Sequence, residues 1–140
     1  MSPQTTFLPG ASFMRRHFSP PSLPAPFGRY HHAALAEGPQ RLLVLSGQLG
    51  IRADGTIPED VETQTQLILD AIDACLAEAG MERRHVLRLT TYLTEIDYRA
   101  AYMKVRDAWA PDPAPASTLL VVKALAQPAC KVEIEAIAAG

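Results

Sequence analysis

Apolar and polar residues recur along this chain with two periods, one typical of strands and the other of helices. A continuous apolar run at residues 41–46 has strand length, and we expect residues 31–35 to pair with it as a hairpin that turns at Gly38-Pro39. Residues 86–93 and 131–138 alternate between apolar and polar positions, and residues 118–122 are apolar throughout. These patterns predict three further strands.

Two segments show the helical period instead. In the first, apolar side chains recur from Val61 to Ala79, and Gly80 follows where a left-handed cap ends many helices. The second runs from about residue 97 to residue 109 and stops before the breaker at Pro111. One face of that second segment carries Tyr98, Tyr102, Val105 and Trp109. The predicted order of elements is therefore ββαβαββ.

The N-terminal segment has a different composition. Six of the twelve prolines lie within residues 1–26, so we expect no continuous helix and no ladder strand there. We divide the chain into an extended arm at residues 1–27 and a single domain at residues 28–140. The arm either packs on a neighbouring subunit or is disordered.

The predicted sheet has more apolar surface than two helices can cover. Residues 42–45 and 118–122 are apolar on both faces, whereas two helices cover only one face. A second copy of the chain would cover the other face. We therefore predict a homo-oligomer, with clefts between subunits as natural ligand sites.

Composition and charge exclude several classes of function. The 140 residues carry a formal net charge of −2 without a basic stripe, which argues against nucleic-acid or membrane partners and favours a cytoplasmic protein. Cys75 and Cys130 lack metal or redox spacing, so reduced thiols are expected. His31 and His32 are adjacent and point to opposite faces of a strand, and we predict no metal site.

Candidate chemistry centres on the last strand and on one turn. Strand alternation places Glu133 and Glu135 on the same face, where a carboxylate either lies in water or serves a site. Ser46-Gly47-Gln48 follows a buried strand and is either a ligand-binding turn or an ordinary strand end. Cys130 is a nucleophile or, more simply, a small buried thiol.

Several of these segments together resemble the RidA/YjgF family. The resemblance covers residues 30–138 and is strongest at the closing strand. It is carried by Tyr30 after Gly28, Ser46-Gly-Gln48, Val61-Glu-Thr-Gln-Thr-Gln66, Leu89-Thr-Thr-Tyr-Leu93, Asp97-Tyr98 and Val132-Glu-Ile-Glu-Ala-Ile-Ala138. It implies a chorismate-mutase-like α+β domain with a mixed sheet, two helices on one face, and three copies forming a central barrel. Active members hydrolyse reactive imines and enamines, such as 2-aminoacrylate, without a cofactor.

The resemblance also implies roles for individual residues. Glu133 falls on the glutamate that positions the attacking water, and Tyr30, Ser46 and Gly47 fall on substrate-binding positions of the cleft. Ser117 falls where active members have the arginine of a Pro-Ala-Arg motif, which clamps the substrate carboxylate. Tyr102 replaces a helix asparagine, Gly50 replaces a turn proline, and the loop before Glu133 is one residue longer.

Two hypotheses of function follow. The first is a cofactor-free hydrolase or tautomerase with Glu133 as general base, acting on a less acidic, neutral or bulkier imine or enamine than 2-iminopropanoate. It rests on the retained glutamate. The second is a trimeric module that binds a small metabolite or docks another enzyme without chemistry, and it rests on the missing arginine.

Overall fold

The computed structural model of the protein describes residues 14–26, 29–38 and 41–140. Two helices lie against a mixed sheet, as the pattern predicts. The helices are α1 (Val61–Glu78) and α2 (Arg99–Trp109). The strands are β1 (Met14–Phe18), β2 (Ala33–Glu37), β3 (Leu42–Val44), β4 (Gln48–Leu49), β5 (Val86–Leu93), β6 (Ala116–Val121) and β7 (Val132–Ala139).

The main sheet is built around β5 and β7. Its order is β3-β7-β5-β6, and β4 also pairs with β7. β5 runs antiparallel to β7 and parallel to β6, with Leu89 opposite both Ala136 and Ser117. The predicted α+β class with two helices and a mixed sheet is confirmed.

One face of this sheet forms the core with the helices. On β7 the buried residues Val132, Ile134 and Ala136 alternate with half-buried Glu133 and Glu135. Leu89, Thr91 and Leu93 of β5 are buried on the same face as this apolar set. α1 packs on that face with its buried side chains Ile68, Leu69, Ile72 and Leu76. The alternation seen in the sequence is therefore the division between core and opposite face.

The opposite face, here called the open face, carries large apolar side chains without cover in the single chain. These are Leu42, Val44, Leu120 and Ile137. Leu42 and Val44 are each 66% exposed, a fraction far above that of core side chains. Polar residues at the centre of the same face include Arg88, Thr90 and Tyr92 of β5.

Both helices begin and end where local chemistry favours it. The Asp60 carboxylate accepts a hydrogen bond from the Thr63 backbone N–H at 2.8 Å and caps α1. Gly80 has a φ of 70°, the left-handed conformation predicted for the end of this helix. α2 begins two residues later than expected, since residues 96–98 form a 3₁₀ turn. Neither helix in the described part of the chain is long and apolar enough to cross a membrane.

Two predictions about the N-terminal strands were wrong. Residues 33–37 pair with β1 and not with the strand that follows them, because β3 pairs with β7, where Leu43 lies opposite buried Ala138. Residues 14–18 form a ladder strand within the predicted arm. That stretch contains no proline, so its backbone N–H groups are available for pairing. The remainder of the arm up to residue 13 lies outside the described residues, as do residues 39 and 40 of the predicted turn.

Candidate functional site

The Ser46-Gly47 turn lies directly against Glu133. β4 pairs with β7 so that Leu49 is opposite Glu133, and this pairing brings the residues before β4 over the carboxylate. A Cβ atom built on Gly47 would lie 1.8 Å from Glu133 Oε2. The Gln48 amide folds the turn by donating to the Ser46 carbonyl at 2.9 Å. We call Ser46, Gly47 and Glu133 the carboxylate half-site.

The two glutamates on the closing strand differ in their partners. The Tyr92 hydroxyl donates a hydrogen bond to Glu135 Oε1, and this bond to the carboxylate raises the pKa of Tyr92. Within the described ranges, the Glu133 carboxylate has no hydrogen-bond or salt-bridge partner. A neighbouring hydroxyl thus holds Glu135, whereas no described side chain holds Glu133.

Cys130 lies three residues before Glu133 in the chain and is 1% exposed. Burial raises the pKa of its thiol, and the charge of Glu133 raises it further. A thiol kept protonated is a poor nucleophile. The interpretation of Cys130 as a small buried residue fits this environment.

A second group of the expected residues lines a pocket between β6 and α2. Its volume is about 330 Å³. It is lined by Tyr30, Ile96, Arg99, Met103, Arg106, Ser117 and Leu119. Tyr30 reaches this place because the next residue, His31, donates its backbone N–H to the Pro115 carbonyl at 3.1 Å and bridges to Ala116. We call it the β6–α2 pocket.

Arg106 is the residue of this pocket that the sequence reasoning missed. It lies in the last turn of α2, is 4% exposed, and donates from Nη1 to Ser117 Oγ at 3.0 Å. Its Nε donates to Asp107 Oδ1 at 2.7 Å. The resemblance places the substrate-clamping arginine on the strand at position 117, whereas Arg106 comes from the helix. The signal was an arginine four residues after Tyr102 and three before Trp109, on the apolar stripe of α2.

Tyr102, which replaces a helix asparagine of active members, does not line the pocket. It is fully buried, and its hydroxyl forms a 2.6 Å hydrogen bond with Thr91 Oγ1. Burial raises the pKa of Tyr102, and the positive charge of Arg106 opposes this shift. The Arg106 guanidinium lies 5.5 Å from the centre of the Tyr102 ring. The buried Tyr102 ring therefore packs against the Arg106 guanidinium.

The two groups of residues lie on opposite faces of the sheet. Ser117 pairs with buried Leu89 and points toward the helices, whereas Glu133 pairs with Tyr92 and points to the open face. One chain thus unites Ser46 and Gly47 with Glu133, and Tyr30 with Ser117, but does not unite the two groups. No three His, Cys, Asp or Glu side chains of the described ranges gather at a metal-binding spacing.

Comparison with solved structures defines the class of protein first. The fold matches a conserved Rid-family protein of unknown function, YyfB of Yersinia pestis, with a TM-score of 0.78 and 28% identity over 90% of this chain and 98% of that one. It also matches RidA of an Antarctic Psychrobacter, with a TM-score of 0.68 and 27% identity over 89% of this chain and 99% of that one.

Comparison of sequences gives the family. A family model described as Endoribonuclease L-PSP matches residues 21–140. The 2-iminobutanoate/2-iminopropanoate deaminase of Capra hircus is 33% identical over 130 residues, 91% of this chain and 92% of that protein. A RutC family protein of Aquifex aeolicus is 32% identical over 126 residues, 88% of this chain and 98% of that protein. The chain belongs to the RidA/YjgF family.

Proposed function

We propose that the protein is a cofactor-independent hydrolase that deaminates small reactive imines, and that it also tautomerises the corresponding enamines. The observation that carries this proposal is the Glu133 carboxylate, half-buried against the backbone of Gly47 and without a partner among the described residues. A general base needs a carboxylate that is positioned but not already neutralised by a neighbour. The goat relative named as a 2-iminobutanoate/2-iminopropanoate deaminase supports the same chemistry.

In the proposed reaction Glu133 accepts a proton from a water molecule as the water oxygen attacks the imine carbon. The C=N bond becomes a single bond, and the nitrogen takes up the proton that Glu133 accepted. As this carbinolamine collapses, Glu133 removes the hydroxyl proton and passes it to the nitrogen, a C=O bond forms, and the C–N bond breaks to release ammonia and a carbonyl compound. One imine and one water are consumed, and no redox change occurs. An enamine enters after its carbon is protonated to give the imine.

We propose further that the active site lies between subunits of a homotrimer whose sheets form a central barrel. Two observations support a shared site. The carboxylate half-site and the β6–α2 pocket lie on opposite faces of one sheet, so a single small molecule cannot contact both within one chain. The open face also carries exposed Leu42, Val44, Leu120 and Ile137, whose burial against a second copy is favourable.

The test is the rate of ammonia release, measured above the spontaneous hydrolysis, from imines generated in situ by an amino-acid oxidase, and ammonia release below means this excess rate. We expect Glu133→Gln to reduce the rate about 100-fold or more, since general-base catalysis contributes about 10²–10⁴-fold. Glu135→Gln is the matched control, because it makes the same change two residues away on the same face. We expect that variant to retain most of the activity.

Equal rates for the wild type and Glu133→Gln would contradict the proposed role of Glu133. A second result would favour the non-catalytic alternative. If imines or 2-oxo acids raise the melting temperature of the wild type but no ammonia is released from any imine, the protein is a binding module.

A further inference from the structure

We propose that Arg106, oriented by Ser117 and assisted by Arg99, binds the carboxylate of the substrate in the β6–α2 pocket. The guanidinium absent from the strand position is thus supplied from helix α2. The substrate becomes a 2-imino acid with an aliphatic side chain, and not the neutral imine that the sequence suggested. This inference rests on the proposed function for its chemistry, but the binding step is measured separately.

Arg106 is held in one orientation before any ligand arrives. Asp107 accepts from its Nε at 2.7 Å and Ser117 from its Nη1 at 3.0 Å, and the Tyr102 ring lies 5.5 Å from the guanidinium. These bonds engage two of the five N–H donors of an arginine and leave other donors for a ligand. Its place in the last turn of α2 also favours a cation, since the carbonyl end of a helix is partly negative.

The charge in the pocket favours an anion although the chain as a whole is acidic. Arg99 and Arg106 are the charged residues of its lining, and no carboxylate side chain lines it among the described residues. Asp107 offsets one of the two positive charges through its bond to Arg106. Arg99 is exposed at the rim, where its Nε donates to the sulfur of Met103 at 3.5 Å. The side chains that line the pocket therefore carry more positive than negative charge, which attracts an anion.

A serine at position 117 is compatible with Arg106, whereas an arginine there would not be. The short Ser117 side chain contacts the Arg106 guanidinium at 3.0 Å, so a strand arginine at position 117 would begin beside a second guanidinium. Like charges at that distance repel. The serine therefore accompanies the helix arginine and is no sign that the anion site has been lost.

The remaining walls describe the rest of the ligand. Ile96, Met103 and Leu119 are the apolar side chains of the lining. An aliphatic chain longer than a methyl group would bury against them, and each buried CH₂ group favours binding. The chemistry of the pocket thus fits a carboxylate attached to a medium-sized aliphatic side chain.

The experiment is calorimetric titration of the full-length protein with ketoisocaproate, which carries the carboxylate, the reacting-carbon geometry and a branched aliphatic chain. Methyl isobutyl ketone is the comparison ligand, since it has a methyl group in place of the carboxylate. We expect the wild type to bind the acid at least about tenfold more tightly than the ketone. We expect pyruvate to bind about tenfold more weakly than ketoisocaproate.

Two variants and a control locate the effect. Arg106→Gln is expected to weaken binding of the acid about 10- to 100-fold and to leave binding of the ketone within about twofold. Arg99→Gln lies at an exposed position that does not support the fold, so it tests the same charge if Arg106→Gln fails to fold, with an expected loss of about fivefold. Arg84→Gln removes a positive charge in the exposed pair with Glu82 and should bind like the wild type.

Equal binding of acid and ketone, no binding of the acid, or unchanged affinity in both pocket variants would overturn the inference. Turnover separates this outcome from failure of the proposed function. A protein that binds ketoisocaproate through Arg106 but releases no ammonia from the imine of leucine retains the anion site and loses the hydrolase proposal. If the wild type and Arg106→Gln both deaminate neutral imines and imino acids equally well, the hydrolase proposal stands and the anion site is contradicted.

Discussion

At the scale of single residues, the decisive contact is between Gly47 and Glu133. Gly47 is not among the glycines with positive φ, so its backbone conformation is open to other residues. What prevents a side chain there is the carboxylate itself, because the nearest atom to an added Cβ is Glu133 Oε2. That atom is the end of a flexible side chain, so a larger residue would move the carboxylate and leave the strand in place.

We therefore predict that Gly47→Ala reduces ammonia release about 100-fold, close to the loss in Glu133→Gln, while the melting temperature changes little. The measurement is turnover beside thermal unfolding. In the double variant Gly47→Ala, Glu133→Gln, the alanine should have no further effect, since both changes act on one carboxylate. Additive losses would show that Gly47 acts elsewhere.

The same scale shows what the sequence was able to predict of the site. Strand alternation placed Glu133 and Glu135 on one face because period two is a local property of the chain. Their separation into a partnered and an unpartnered carboxylate depends on Tyr92, which lies on the neighbouring strand β5. Arg106 escaped notice for the same reason, because its contact with Ser117 joins a helix to a strand through tertiary packing.

At the scale of elements, the β1–β2 hairpin is attached to the segment that leads into the pocket. His17 of β1 donates from Nδ1 to the Ala114 carbonyl at 3.1 Å, and His31 donates from Nδ1 to the same carbonyl. Ala114 lies three residues before Ser117. Burial lowers the pKa of His17, and the nearby charges of His31 and Arg15 lower it further against the opposing hydrogen bond to Ala114.

A lowered pKa in the folded state fixes the sign of the pH dependence. As the pH falls below about 6.5, the unfolded chain takes up a proton at His17 before the folded chain does, so the free energy of unfolding decreases. We predict lower stability at pH 5 than at pH 7 in urea titrations, with a smaller decrease in His17→Gln. Some loss of stability at pH 5 remains in this variant, because burial also lowers the pKa of His85. An unchanged decrease would argue against His17.

The periodicity of the sequence predicted single helices and strands better than it predicted which strands pair. Both helices and the long strands β5 and β7 were found because their periods extend over eight or more residues. The two-residue strand β4 is too short to show a period. The partner of β3 was wrong because a hairpin is the default for neighbouring strands, whereas β7 lies some ninety residues further along the chain.

At the scale of the whole molecule, the proposed trimer rests on the exposed apolar side chains of the open face. Leu120 is 47% exposed there, and Leu23, on the turn that follows β1, is 46% exposed. We predict that Leu120→Lys dissociates the proposed trimer, because an unpaired ammonium would be buried in the interface. Leu23→Lys should remain assembled. The measurement is the molar mass of each protein by size exclusion with light scattering at micromolar concentration. A monomeric wild type would contradict the proposed trimer.

The carboxylate half-site and the β6–α2 pocket lie on opposite faces of one sheet, so two impaired proteins should complement each other when their subunits are mixed. When Glu133→Gln and Arg106→Gln subunits are unfolded together and reassembled, some clefts receive an intact carboxylate from one chain and an intact guanidinium from the next. With random mixing, about one cleft in four regains both groups. Recovered deaminase activity in the mixture, and none in either protein alone, would make the catalytic unit a pair of neighbours.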